Sequence, residues 1–255
     1  SSDVCSSDLQ DKSVTYIYDI FSKKLTEVAP FTVDLLLPSG AENLNYVLYT
    51  DESPYKMQRE WLDRLPFDIY SVNVHTGAKR LIGRSYRTAP KWSVNGKWAV
   101  MYDPIAQVWN KFDGATGKVV NISDAIGYPM FMESYDKPAP APAYGIAGWT
   151  ADGNNVFLYD AYDWWKIDLT GERQPECLTK GYGRKHGKSI RKMTSNIDKD
   201  VFQKDEKVIV SLWDKDTMDE GVYQLDMKGR LRKLMEGNYV YTIHRFSDNH
   251  EYCVW

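Results

Sequence analysis

The sequence predicts an all-β fold: a β-propeller fragment of four-stranded antiparallel blades, about four of them full and flanked by two half blades. Two hairpin signatures that strictly alternate along the chain predict it, and no long window carries a helical period. In the first signature a short apolar strand closes on Gly-Trp or Lys-Trp, passes through a turn rich in Gly, Asp and Asn, and leads into another strand. In the second, an apolar strand runs into an Asp- or Asn-started turn that ends on Gly, where the glycine supplies the positive φ such hairpins require.

Along the chain, Tyr16-Ile17-Tyr18-Asp19 followed by Lys23-Lys24-Leu25 is a glycine-less second signature whose second strand is expected to end at Val28; it is the first half blade. The first full blade carries Asn73-Val74-His75-Thr76-Gly77 and a long insertion from Thr50 to Pro66. Within that insertion Met57, Trp61 and Leu65 recur at helical spacing, so Tyr55 to Leu65 is the one helical turn the sequence predicts. The second blade holds Lys91-Trp92-Ser93-Val94-Asn95-Gly96 and then Asp113-Gly114-Ala115-Thr116-Gly117. The third holds Gly148-Trp149-Thr150-Ala151-Asp152-Gly153 and Asp168-Leu169-Thr170-Gly171. The fourth holds a degenerate first signature, Val201-Phe202-Gln203-Lys204-Asp205-Glu206, and Asp226-Met227-Lys228-Gly229. Arg245-Phe246-Ser247-Asp248-Asn249-His250 opens the last half blade.

The closing glycines of the second signature fall at positions 77, 117, 171 and 229, a spacing that suits four strands per unit with variable loops. Val156-Phe157-Leu158-Tyr159 and Val208-Ile209-Val210-Ser211-Leu212-Trp213 are nearly continuous apolar runs, as inner strands between neighbouring blades should be. Loops are expected between strands: the Pro-Ala alternation at 138–142 is a stiff connector before Trp149, and Thr179 to Lys199 is an inter-blade loop after the third blade.

Composition sets further bounds. Of 255 residues, 43% are hydrophobic and 14% aromatic, enough for a sizeable core. A formal net charge of −3 gives no general field for nucleic acid or an anionic membrane, and no apolar run reaches the roughly 20 residues that span a bilayer. Cys5, Cys177 and Cys253 make neither a disulfide framework nor a zinc-type cluster, and no cofactor is indicated. Residues 1–9, SSDVCSSDL, look like translated adapter DNA and are set aside, which leaves residues 10–255 as a partial propeller domain whose two ends both look artificial. An incomplete ring would expose apolar faces and strand edges, so aggregation or opening is expected of it.

No residue stands out as catalytic or metal-binding. Gly83-Arg84-Ser85-Tyr86-Arg87 and Gly187-Lys188-Ser189-Ile190-Arg191 each have half of the GxSxG turn that exposes a nucleophilic serine, and lack the second glycine. His75, His186, His244 and His250 read as structural or solvated. The run Gly181 to Ser189 fails the spacing of a phosphate loop, because Tyr182 stands where a glycine is needed. With Lys180, Arg191 and Lys192 it is a basic stretch, expected to be a solvated loop rather than a polyanion site. Asp214, Asp216, Asp219 and Glu220 have the composition of a calcium loop without its spacing, and a charged hairpin tip is expected there. Trp164-Trp165 with Tyr159 to Asp163 offers an aromatic platform for a sugar or peptide; neighbouring strand residues point to opposite faces, so one of the two tryptophans belongs to the core between blades.

Three pieces carry a family resemblance: Pro142-Ala143-Tyr144-Gly145-Ile146-Ala147-Gly148-Trp149, then Val156 through Asp168, then Leu178-Thr179-Lys180-Gly181-Tyr182-Gly183-Arg184. In order and spacing they resemble the N-terminal propeller of bacterial prolyl oligopeptidase-family serine peptidases, with a weaker likeness over Trp61 to Leu81 and Gly221 to Leu225. The resemblance implies a propeller that caps a C-terminal α/β-hydrolase domain with a Ser-Asp-His triad and controls which peptides reach it. That domain is absent from this chain, so no catalytic residue carries over, the chain itself is expected to be inactive, and its substrate-contacting residues are unassigned. The resemblance also implies peptide as the partner and a periplasmic or secreted location. The paired glutamates with which the dipeptidyl-peptidase branch holds a substrate amino terminus have no counterpart. Two other readings share the turn signatures and the abundance of tryptophan: a non-catalytic protein-binding propeller and a two-carboxylate propeller glycosidase.

Overall fold

Hairpin follows hairpin in the computed structural model, which describes residues 14–20, 23–29, 33–38, 45–62, 64–193, 200–237, 245–246 and 252–254. Strands β1 (Thr15–Asp19) and β2 (Lys24–Ala29) pair antiparallel, the second ending one residue beyond the expected Val28. Lys23 takes the positive φ that glycine takes in the other turns. Three meanders of sequential strands follow: β3 (Asp34–Leu36), β4 (Tyr46–Asp51), β5 (Phe67–Asn73) and β6 (Lys79–Tyr86); β7 (Lys91–Trp92), β8 (Trp98–Asp103), β9 (Val108–Asp113) and β10 (Val119–Asn121); β11 (Ile146–Thr150), β12 (Asn155–Tyr159), β13 (Trp164–Asp168) and β14 (Glu176–Cys177). A short helix, α1 (Tyr182–Lys185), leads into β15 (Lys188–Lys192), and β16 (Val201–Phe202) precedes β17 (Lys207–Asp214), β18 (Glu220–Asp226) and β19 (Leu231–Gly237). Finally, β20 (Arg245–Phe246) pairs antiparallel with β21 (Cys253–Val254). In chain order, among the described residues, four sheets of blade type follow one two-stranded sheet and precede another, as the alternating signatures predict.

The turn glycines do what the sequence required of them. Gly77, Gly117, Gly171 and Gly229 all have φ between +70° and +84°, and each closes the hairpin joining the last two strands of its sheet. Where the turn opens on Asn73, Asp113, Asp168 or Asp226, that side chain accepts backbone N–H groups two or three residues on, or further, and so fixes the turn locally.

Sheets stack face to face within two compact units, one formed from the described parts of Ser1–Trp92 with Gly96–Asp103 and Asn110–Val120, the other from Ser93–Asn95, Pro104–Trp109 and the described parts of Asn121–Trp255. In the first unit, Val28 and Ala29 of β2 pack on Val47, Tyr49 and Val72 of the next sheet, whose other face sets Leu48 and Ile69 against Ala99, Met101 and Phe112. In the second, Phe157, Tyr159 and Trp164 meet Ile190, Val210, Leu212, Tyr223 and Leu225. Each such side chain taken out of water stabilises the stack by roughly 1.5–3 kcal/mol before conformational entropy is counted. β12 is buried at four consecutive positions, as its apolar run predicts, whereas β17 alternates buried and half-buried residues, with only one face fully covered.

Three expectations need correction. The helical turn expected over Tyr55 to Leu65 is a 3₁₀ helix at Ser53–Gln58, with Met57 at 87% and Trp61 at 76% exposure. Pro54 sits in its first turn and Pro66 follows the segment, so the i, i+4 pattern never becomes a buried helical face; of the three apolar residues only Leu65 is buried. The segment Thr179 to Lys199 is not merely a loop: it contains α1 and β15, and β15 is the edge strand that pairs with β17. Ile190, fully buried, anchors β15. Consequently the degenerate signature at Val201 is not a hairpin with β17. β16 instead pairs parallel with β11 of the preceding sheet, where the Asp200 and Phe202 carbonyls accept the Trp149 and Ala151 N–H groups and satisfy an otherwise open edge.

Among the described residues no helix is long and apolar enough to cross a membrane. Residues 1–9, and with them Cys5, lie outside the described residues, as do His244 and His250.

Candidate functional site

The tight turn between β12 and β13 begins the site. Asp160, with no exposed surface, uses Oδ1 to accept the N–H groups of Tyr162 (2.7 Å) and Asp163 (2.6 Å), which closes the turn. Its Oδ2 accepts the Trp165 indole N–H and the Arg184 guanidinium, both at 3.1 Å. Four donors saturate one buried carboxylate, the condition under which burying it is tolerable.

Asp163, 1% exposed, reaches the other way. Its Oδ1 accepts the Thr179 hydroxyl (2.6 Å) and the Gly183 N–H (2.9 Å), and its Oδ2 accepts the Arg184 N–H at 3.0 Å. The Thr179 hydroxyl oxygen in turn accepts the Trp164 N–H at 3.2 Å. Gly183 has to be glycine for space: a Cβ there would lie 2.6 Å from the Tyr162 carbonyl oxygen and 2.7 Å from that of Lys188. The turn after β12 and the segment entering α1 are therefore clamped together by one aspartate and one missing side chain.

Arginines bracket this clamp. The Arg184 guanidinium lies 3.9 Å from the Tyr128 ring centre and 5.0 Å from that of Tyr162, with Lys215 Nζ 4.7 Å from the Tyr162 ring. Arg191 donates to the Asp160, Ala161 and Ile190 carbonyls and stacks over Tyr159 and Tyr144. Burial pulls Arg191 below the usual arginine range and pushes the Tyr159 phenol up to about 12. Beside Arg184 opens a cavity of about 390 Å³ lined by Tyr128, Trp165, Cys177, Arg184, Lys185 and the buried Asp160. The Cys177 thiol, pushed up by burial, accepts the Gly181 N–H at 3.2 Å, a structural rather than a nucleophilic setting. A larger cavity of about 560 Å³ lies over Phe157 and Phe202 and is rimmed by Lys166, Asp168, Arg173 and Lys204.

The residues singled out in the sequence fall as follows. Ser85 is the penultimate residue of β6, at φ +56°, its N–H donating to Asp68; Ser189 lies within β15 opposite Trp213. His75 sits in an exposed turn 3.1 Å from Asn45 Oδ1, and His186 stacks on Tyr182, so neither serves a serine. Asp214 closes the β17–β18 turn by accepting the Asp216 and Thr217 N–H groups, which makes this stretch the hairpin tip expected of it. Trp164 is fully buried between sheets and Trp165 half-buried beside the cavity, the split that strand geometry predicts. In the basic stretch Lys180 and Lys185 are exposed as expected, but Arg184 and Arg191 turn inward to Asp160 and to carbonyls because those acceptors are buried and need donors. Missed altogether was that Asp160, Asp163 and Arg184 form one network. The available signal was an Asp-x-x-Asp directly after a strand, since such residues fold back on their own backbone.

No family model matches the chain, and no curated protein matches it. Among solved structures it is similar to TolB from Acinetobacter baumannii, at 14% identity over 92% of this chain and 52% of that one, with a TM-score of 0.39. It is also similar to the β-propeller domain of the Trilobed protease from Pyrococcus furiosus, at 14% identity over 84% of this chain and 59% of that one, TM-score 0.41. Porphyromonas gingivalis dipeptidyl peptidase 4 is similar at 10% identity over 94% of this chain and 40% of that one, TM-score 0.45. The chain spans about half the length of the TolB structure.

Proposed function

We propose that this chain is the propeller portion of a prolyl oligopeptidase-like serine peptidase, governing which peptides reach a nucleophile carried by an α/β-hydrolase domain of the full-length protein. One observation carries the reading. The three separate stretches on which the family resemblance rests converge on a single built unit: Pro142 to Trp149 leads into β11, Val156 to Asp168 forms β12 from its second residue, the turn and β13, and Leu178 to Arg184 holds the segment clamped by Asp163. Residues spaced along the sequence for a common structural purpose are a more specific likeness than blade turns, which many propellers share.

Reading the genomic DNA on both sides of this coding segment tests the proposal. A continuous frame that encodes a downstream GxSxG-bearing α/β domain is the expected result. A frame that closes without one contradicts it and favours the non-catalytic binding propeller.

A further inference from the structure

We infer that the cavity beside Arg184 is a subsite for a carboxylate carried on an aromatic group, the chemistry presented by a peptide ending in an aromatic residue. Charge points first to an anion. Asp160 accepts four donors and Asp163 three, while Arg184 and Lys185 line the cavity and Lys215 stacks on Tyr162, the ring over which Arg184 also lies. The pair Asp160–Arg184 occupies one Nη of the guanidinium, and the Arg184 side chain is 27% exposed. The guanidinium has five N–H donors, so an entering carboxylate can be met by those that Asp160 leaves free.

The walls specify the rest of the ligand. Tyr128 and Trp165, with ring centres 6.2 Å apart and planes tilted by 49°, offer two flat apolar surfaces to a third ring. Trp165 is held by its indole bond to Asp160, so that wall is pre-formed. A volume of about 390 Å³ suits one amino-acid residue and no folded partner. A single negative charge fits better than a doubly charged phosphate, because Asp160 already lies against the same guanidinium. The peptide part of this inference rests on the function proposed above; the carboxylate subsite stands on the cavity alone.

The test is calorimetric titration of the whole chain with N-acetyl-L-phenylalanine, its C-terminal amide, and 3-phenylpropanoate. The free carboxylate should bind about tenfold or more tightly than the amide, the margin of a charge-assisted hydrogen bond. Tyr128→Ala and Lys185→Gln, both at exposed positions, should each weaken it about threefold with the melting temperature unchanged. Arg184→Gln should abolish the preference for carboxylate over amide. Equal affinity for acid and amide, no binding at about 10 mM, or indifference to all three substitutions overturns the subsite. If 3-phenylpropanoate binds as tightly as N-acetyl-L-phenylalanine, the carboxylate subsite stands and the peptide assignment falls, whatever the genomic sequence shows.

Discussion

A buried carboxylate is stable only while its acceptor capacity is filled, and Asp160 shows how completely this chain arranges that. Removing it leaves Arg184 and the Trp165 indole facing a void and frees two backbone donors in the turn. Asp160→Ala should therefore lower the unfolding free energy by about 3–5 kcal/mol, the cost of breaking a buried pair from one side. Lys79→Ala, which breaks the exposed pair with Glu27 (3.3 Å), should change stability by less than about 1 kcal/mol. Urea denaturation of both variants checks this, and similar losses would mean that Asp160 is not the keystone of its turn. At this scale the sequence was only partly legible. The turn glycines announce themselves because φ is a local property, whereas the meeting of Asp163 with Thr179 and Gly183 depends on how two non-adjacent segments pack.

Between elements, the same distinction explains which strands were foreseen. Sequential hairpins leave a local pattern of apolar runs and turn residues. The parallel partner of β11 and the edge strand β15 do not, since β16 has two residues and β15 is dominated by Lys, Ser and Arg around the single buried Ile190. Lys188 of β15 reaches Glu236 of β19 at 2.7 Å. Its hydrogen bond, with a second from Lys233, lowers the Glu236 carboxyl from the usual 4.5 to about 2. Because the folded value lies below the unfolded one, this tie stabilises the sheet above pH 4.5 and is lost as pH falls toward about 2. The melting-temperature gap between the parent chain and Glu236→Gln should thus narrow from pH 5 to pH 3; a constant gap would show that the tie contributes nothing.

The insertion between β4 and β5 gives the opposite expectation. Met57 and Trp61 have helical spacing but stay in water, so Met57→Ser with Trp61→Ser should shift stability by no more than about 0.5 kcal/mol. A loss of several times that in thermal unfolding would place these side chains against protein after all.

For the molecule as a whole, blade-type sheets follow from the sequence because every unit repeats one physical problem: a sheet apolar on both faces is stable only between neighbours. Function does not follow from that repeat. It was legible only where the repeat is broken by residues doing something else, at Asp160, Asp163 and the Tyr-Gly-Arg of α1, and even there the sequence gives a family likeness rather than a chemistry. The division of labour proposed for this protein, with the propeller selecting peptides and another domain cleaving them, is tested most directly by fluorophosphonate labelling of this chain and of the full-length gene product side by side. This chain should stay unlabelled while the full-length product is labelled at a serine outside it. A labelled serine within this chain, or a full-length product that is neither labelled nor able to hydrolyse peptides, would contradict it.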